Sequence, residues 1–247
     1  MDGADPDRWS SVAVGWAELW GGFVEPVWRT IADVTGAGPG SRVLDVGCGG
    51  GDLLAWFDRL GAVTAGIDPA PGMVGLARER VPSADVRPGD AEHLPWPDAS
   101  FDLVTSVNAL QFADDTLDAL AELARVTRSG GHVAIANWAE AGRNDLNTIE
   151  EAVAAADGEE PLPDGDLRLP GGLEELFTEG GLDVVDAGIV ELPWEAEDGS
   201  TLVRAVLLGE DPAAAPVVLE AAQPFRTADG GYRLVNAFRY AVARTAV

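Results

Sequence analysis

Between positions 42 and 138 the sequence alternates short apolar runs with helical ones: RVLDV, LLAWFDRL, AVTAGI, MVGLARER, ADVRPG, FDLVTSV, TLDALAELARV and HVAIANW. Continuous apolar runs of this length read as strands buried on both faces, and the helical stretches between them as crossovers. The pattern therefore predicts a doubly wound α/β fold, a parallel sheet with helices on both sides. A ligand in such a sheet binds outside the carboxyl ends of the strands, near the point where strand order reverses. The chain of 247 residues, 47% hydrophobic with mean hydropathy +0.05, has ample material for this core.

Two flanking regions complete the expected organisation. Residues 1–40 are expected to form an N-terminal helical cap, since Trp9, Trp16, Trp20, Phe23 and Trp28 recur at largely helical spacing, interrupted by Gly21 and Gly22. Residues 41–247 then form the ligand-binding domain. Within it, residues 157–172 are rich in Pro, Gly and acids and read as a long loop, either a linker or a lid over the site. The segments LDVVDAGIVELPW and YRLVNAFRYAVART read as strands that finish the same sheet, with helices around 201–208 and 213–222 between them.

Charge excludes whole classes of partner. The chain has 42 acidic residues against 16 basic ones, all arginine, for a net charge of −26. Nucleic acids and anionic membranes repel such a surface, so the expected ligand is a small neutral or cationic molecule, with no nucleic acid and no membrane. The opening MDGADPDRW carries acids where a secretory signal needs basic charge, and no stretch approaches the ~20 apolar residues of a membrane span, so a cytoplasmic location is expected. The single cysteine, Cys48, and the two histidines, His93 and His132, offer neither a disulfide nor a metal cluster, so no metal is expected.

The strongest local signal is the run Val43-Leu44-Asp45-Val46-Gly47-Cys48-Gly49-Gly50-Gly51-Asp52, an apolar strand entering a glycine turn and then a helix. Glycines permit positive φ and let a ligand lie against the backbone. A dinucleotide fingerprint would place a third glycine where Asp52 stands. A pyrophosphate here would also meet the carboxylates of Asp45 and Asp52, each like-charge contact costing on the order of 1 kcal/mol or more. The ligand is therefore expected to lack phosphate and to carry positive charge. Either acid also has a plain structural explanation, Asp52 as a helix N-cap and Asp45 as a turn residue satisfied by backbone N–H groups. Asp68, 23 residues beyond Asp45 at the end of the next strand, stands where doubly wound folds place a ribose-binding acid. Pro69 and Met73 suit a flat base, and Asp90 in Gly89-Asp90-Ala91-Glu92 suits an exocyclic amine.

The residues VLDVGCGGG, GIDPAPGMVGLARER, GDAEHLPWPDASFDLV, NALQFADD and ALAELARVTRSGGHVAIANW, in this order, resemble the class I S-adenosylmethionine-dependent methyltransferases, in the branch that includes the ubiquinone and menaquinone biosynthesis enzymes. The resemblance covers about positions 41–185. It implies a Rossmann-like, doubly wound, seven-stranded, mostly parallel sheet with its last strand antiparallel, and S-adenosyl-L-methionine as cofactor, leaving S-adenosyl-L-homocysteine as product. The implied cofactor residues are Asp45, Gly47, Cys48 and Gly49 for the methionine part, Asp68 for the ribose, Asp90 and Ala91 for adenine, with Pro69, Met73, Asn108 and the cap residue Trp16 adjoining. Donors for the cofactor carboxylate are left open among the glycine-turn amides, Trp16 and an arginine.

A methyl group would pass to a small-molecule acceptor at O, N or C, in a monomer or homodimer. Many relatives have a histidine in the segment matching NALQFADD, where this chain has Gln111 and Phe112. Gln111 and His93 are the remaining catalytic candidates, His93 with a structural or cofactor-side role as its alternative. Acceptor contacts are expected from Trp9, Trp20, Gln111, Trp138, Asn137, Arg143, Asn144 and the 157–172 loop. The same fold could instead serve a cyclase, sensor or non-catalytic subunit that binds the cofactor without transferring methyl. A nicotinamide dehydrogenase is opposed by the missing third glycine and the flanking acids.

Overall fold

The computed structural model describes residues 5–160 and 163–246. In chain order the elements are α1 (Pro6–Leu19), α2 (Glu25–Thr35), β1 (Arg42–Val46), α3 (Asp52–Arg59), β2 (Val63–Asp68), α4 (Pro71–Arg80), β3 (Asp85–Pro88), β4 (Phe101–Val107), α5 (Thr116–Val126), β5 (Thr127–Trp138), α6 (Asp145–Ala156), α7 (Gly172–Glu179), β6 (Asp183–Ala196), α8 (Gly199–Val206), α9 (Ala215–Ala221) and β7 (Tyr232–Arg244). They build one seven-stranded sheet of order β3-β2-β1-β4-β5-β7-β6. β1 to β5 pair in parallel, while β7 runs antiparallel to both β5 and β6. The expected Rossmann-like architecture and antiparallel last strand are thus present, and strand order reverses between β1 and β4.

Alternate residues of each strand feed the two faces. Leu44, Val46, Val104 and Ile135 pack with Leu120 and Leu123 of α5 and Phe177 of α7. On the opposite face Val43, Leu103 and Ala136 pack with Val27, Trp28 and Ile31 of α2 and with Leu53 and Phe57 of α3. The second helix of the cap is therefore continuous with the sheet core. The β6–β7 pair extends beyond β5, whose last pairing is Trp138 with Phe238. Trp194 and Leu234 on that overhang carry a third core with Leu146, Ile149, Leu202 and Val218 of α6, α8 and α9, and Trp20, the C-cap of α1, inserts into it.

The glycine turn is held by close approach. Gly47 lies at φ +76°, and a Cβ there would stand 2.2 Å from that of Ala109, so the turn after β1 and the turn after β4 touch at a point only glycine allows. Asn108, just before, itself adopts φ +56°, which turns the chain out of β4 across the strand ends. Gly49, at φ +50°, has open space where its Cβ would be.

Two glycines of one turn therefore predict different losses. Gly47→Ala adds overlap to backbone strain and is expected to lower the thermal midpoint by at least about 6 °C, whereas Gly49→Ala carries only the ~1 kcal/mol of a left-handed backbone, about 2–4 °C. Thermal unfolding of the two variants checks this.

Candidate active site

A cavity of about 300 Å³ opens at the carboxyl ends of β1, β2 and β4, under the cap. That is the strand-order switch point, and the volume lies within the range of small-molecule sites. Asp45, Gly47, Cys48, Gly49, Asp68, Pro69, Met73, Asp90, Ala91, Asn108, Trp16, Trp9, Trp20 and Trp138 all border it. Segments more than a hundred residues apart in sequence meet there because the parallel strands deliver their ends to one edge.

The turn is tied to β2. The amides of Gly47 and Cys48 both donate to the Ile67 carbonyl, at 2.8 and 3.0 Å, and that of Gly49 donates to Asp68 Oδ2 at 2.9 Å. Asp68 Oδ1 accepts from Ala70 N at 2.9 Å. These three turn amides are thereby occupied, which removes them as donors to a ligand carboxylate. Asp68 is buried, and its burial raises the carboxyl above its ordinary range, opposed by the two backbone donors.

Asp45 differs from both sequence expectations. It is the fourth residue of β1 rather than a turn residue, and its partner is a side chain rather than a backbone amide: Thr105 Oγ1, its register partner on β4, donates to Asp45 Oδ1 at 2.7 Å. Only 4% exposed, its carboxyl is pushed up to about 8, chiefly by burial, with the charge of Asp68 adding and the Thr105 hydrogen bond opposing. The same burial and the two acids drive the Cys48 thiol far above its usual range, so it stays protonated and is no nucleophile.

Asp52 is not the helix N-cap. Gly51 holds that position without a side-chain bond, and Asp52 opens α3 in an ion pair with Arg80 of α4, which also donates to the Gly50 carbonyl at 2.8 Å. The cap fits closely over this end. Gly72 N donates to Ser10 Oγ at 3.1 Å, and a Cβ on Gly21 would stand 2.7 Å from Asp52 Oδ2.

Several expected contacts lie elsewhere. His93 is exposed, with Nδ1 2.9 Å from Asp90 Oδ1, a contact that raises its pKa, and it does not border the cavity. Gln111 also stands off the cavity, its Nε2 donating to Asn108 Oδ1 at 3.0 Å. Arg143 is drawn away by Glu140, 2.8 Å from its Nε. Asn137 and Asn144 are buried and bond to backbone around Trp138, Ala139 and Ala237. In the 157–172 stretch, residues 161–162 lie outside the described ones. Arg168 fastens the rest to the Ala139 carbonyl, and none of its described residues borders the cavity. His132 falls within β5, which begins at Thr127, at the end of the sheet away from the site.

Residues not expected as ligand contacts from the sequence also line the wall, among them Phe23 and Trp28 of the cap, Leu53, Glu92, Phe112, Asp114 and Phe238. Glu92 Oε1 accepts the amides of Asp114 and Asp115 at 2.6 and 3.2 Å, which joins the loop after β3 to the one after β4. Of the titratable side chains in the wall apart from Cys48, six are acids (Asp45, Asp52, Asp68, Asp90, Glu92, Asp114) and none is Arg or His. Such a donor set suits a cationic ligand without phosphate. S-Adenosylmethionine, with its sulfonium and ammonium, meets that requirement, and Gly49 leaves the open cradle where its chain can lie against the backbone.

Because burial raises Asp45 in the folded state above its unfolded value of 3.8, its contribution to stability is fully present below that pH and is lost as pH rises towards about 8. Asp45→Asn, which keeps an acceptor for Thr105, is expected to melt about 2–4 °C above the native protein at pH 8 and equally at pH 4, while binding the cofactor more weakly. Melting curves across that range check the sign.

Residues 44–135 match the family model described as a methyltransferase domain. Over 122 residues the chain is 40% identical to the malonyl-[acyl-carrier protein] O-methyltransferase of Serratia marcescens, covering 49% of this chain and 46% of that one. Over 121 residues it is 36% identical to the demethylmenaquinone methyltransferase of Renibacterium salmoninarum, covering 49% and 51%. The chain thus spans about half the length of the curated relatives it matches. Among solved structures, a methyltransferase-like protein of Bacillus halodurans C-125 superposes with TM-score 0.63 at 15% identity, covering 89% of this chain and 99% of that one. The [4+2]-cyclase SpnF superposes with TM-score 0.60 at 19% identity, covering 90% and 85%. Residues 44–135 are thus similar to a methyltransferase domain, on a fold that the superposed structures share.

Proposed function

We propose that this protein transfers a methyl group from S-adenosylmethionine to a small-molecule acceptor at O, N or C. The observation that carries the proposal is the acid-lined cavity at the strand-order switch point, which offers no cation to a phosphate and several carboxylates to a sulfonium or ammonium. The relatives named for malonyl-[acyl-carrier protein] and demethylmenaquinone support an acceptor other than nucleic acid, as does the net charge of −26.

In this reading the free lone pairs of Asp68 accept from the ribose hydroxyls, Asp90 from the adenine amine, and Pro69, Met73 and Ala91 enclose the base. Asp45 faces the positive end of the methionine portion, where a cation returns its carboxyl to the ionised form. With the amides of Gly47, Cys48 and Gly49 occupied, Trp16 on the cap, Trp28 Nε1 and the Gly50 amide remain as candidates from the cavity wall to donate to the cofactor carboxylate. The cofactor supplies an electrophilic methyl already activated by its positive sulfur. The chain's own part is alignment and exclusion of water, which the close-fitting cap provides. Since neither His93 nor Gln111 borders the cavity, no strong base is assigned.

A second reading keeps cofactor binding without transfer, as in a cyclase or sensor. It is favoured by the absence of histidine from the wall among the described residues, and production of S-adenosylhomocysteine with any acceptor rules it out.

Calorimetric titration tests the cofactor site. Native protein is expected to bind S-adenosylmethionine and S-adenosylhomocysteine at micromolar concentration. Asp90→Ala, at an exposed position, should weaken both about tenfold with an unchanged melting temperature, whereas Asp68→Ala should weaken them at least a hundredfold and also destabilise the turn it holds. Failure of the native protein to bind either ligand overturns the proposal.

A further inference from the structure

The wall of the cavity is divided by chemistry. The acids stand at the carboxyl ends of β1 and β2 and on the segments that follow β1, β3 and β4, whereas the side beneath α2 is built from Phe23, Val24, Trp28, Val107, Trp138 and Phe238 without a charged group. Three of these rings form a mutual cluster delivered by three distant parts of the chain. Phe23 stacks on Trp138 with centroids 5.4 Å apart, Trp138 meets Phe238 at 4.9 Å, and Phe23 meets Phe238 edge-on at 5.9 Å. Trp138 and Phe238 are also the terminal cross-strand pair of β5 and β7, so the sheet itself holds their separation. Trp20 extends the cluster, 6.4 Å from Trp138, and is locked by stacking on Trp194 at 4.8 Å.

Phe238, only 1% exposed, backs the partly exposed Phe23 and Trp138, and these two rings present flat apolar surface at little entropic cost. Among the described residues, no cationic side chain borders the cavity. Arg80, the basic group paired with Asp52, stands behind that acid and is itself outside the wall.

We infer that the Phe23–Trp138–Phe238 cluster is the acceptor subsite, and that it takes a flat, apolar, uncharged molecule and rejects one bearing a carboxylate or phosphate. This inference rests on the methyltransferase reading for the role of the subsite. The selectivity itself depends only on the wall. A flat ring system enters against the aromatic side, and an anionic substituent on it would have to lie in a cavity whose only charges are carboxylates, partly out of water.

Two ligands with one ring system separate the contributions: 2-methoxynaphthalene, which is neutral, and 2-naphthoate, which is ionised at pH 7.5. Binding of each to the full chain is measured by calorimetry and tryptophan quenching, first without cofactor and then with S-adenosylhomocysteine. The neutral ligand is expected to bind at least tenfold more tightly than the anion in both conditions. Trp138→Leu and Phe23→Leu, at partly exposed positions, are each expected to weaken it at least fivefold while leaving S-adenosylhomocysteine affinity within twofold. Equal or tighter binding of the anion overturns the inference, as does absence of naphthyl binding to native protein, or affinity unchanged in both variants. The comparison on native protein requires no variant to fold. Loss of S-adenosylhomocysteine binding alone would instead overturn the methyltransferase reading and leave the ligand selectivity standing.

Discussion

The attachment of the glycine turn to the end of β2 is the constraint on which the rest of the site depends. One carbonyl, that of Ile67, receives two turn amides, and one carboxylate, that of Asp68, receives a third. These bonds hold the turn open at Gly49 and closed against Ala109 at Gly47. The same carboxylate that would meet the ribose therefore shapes the cradle for the methionine portion. Ligand affinity and local stability are coupled at Asp68, whereas Asp90, exposed and bonded only to an exposed histidine, can act on the ligand alone.

Burial makes the acids unusual. Asp45 lies inside the sheet with one hydroxyl for company, and its raised pKa expresses a carboxylate that is poorly solvated until a cation arrives. The fold thus holds near its centre a group that burial shifts toward the neutral form. Away from these acids, the aromatic rings of cap, β5 and β7 give the same cavity a side with no charge. Separation of the two chemistries across a space of about 300 Å³ follows from topology. The carboxyl ends of the parallel strands and the segments after them supply the acids, and the cap and the antiparallel β5–β7 pairing supply the rings.

Most of the fold was legible because burial on both faces writes itself into local composition. The strand runs from RVLDV to HVAIANW overlie β1 to β5, overrunning β2 and β3 by no more than one residue at an end, and the helices expected around 201–208 and 213–222 are α8 and α9 within one to two residues at each end. The acidic side of the cavity was legible for a related reason: the parallel topology brings the residues at and just beyond each strand end to one edge, so Asp68 and Asp90 could be placed there by counting. The aromatic side was not. Gln111 and Arg143 sat in suggestive segments, yet short-range partners, Asn108 and Glu140, hold them off the cavity. Phe238 lies deep in the last strand and reaches the site only through its pairing with Trp138.

By itself, then, the sequence determined the α/β class, the place of the cavity at the strand ends, and the excess of acids around it, because these depend on periodicity, glycine positions and the signs of nearby residues. Only the tertiary structure decided which partner each acid takes, with Asp45 on Thr105 and Asp52 on Arg80, and which aromatic residues converge on one cavity. Such choices are set by strand register and by the crossing of segments far apart in the chain, and neither leaves a local pattern in the residues.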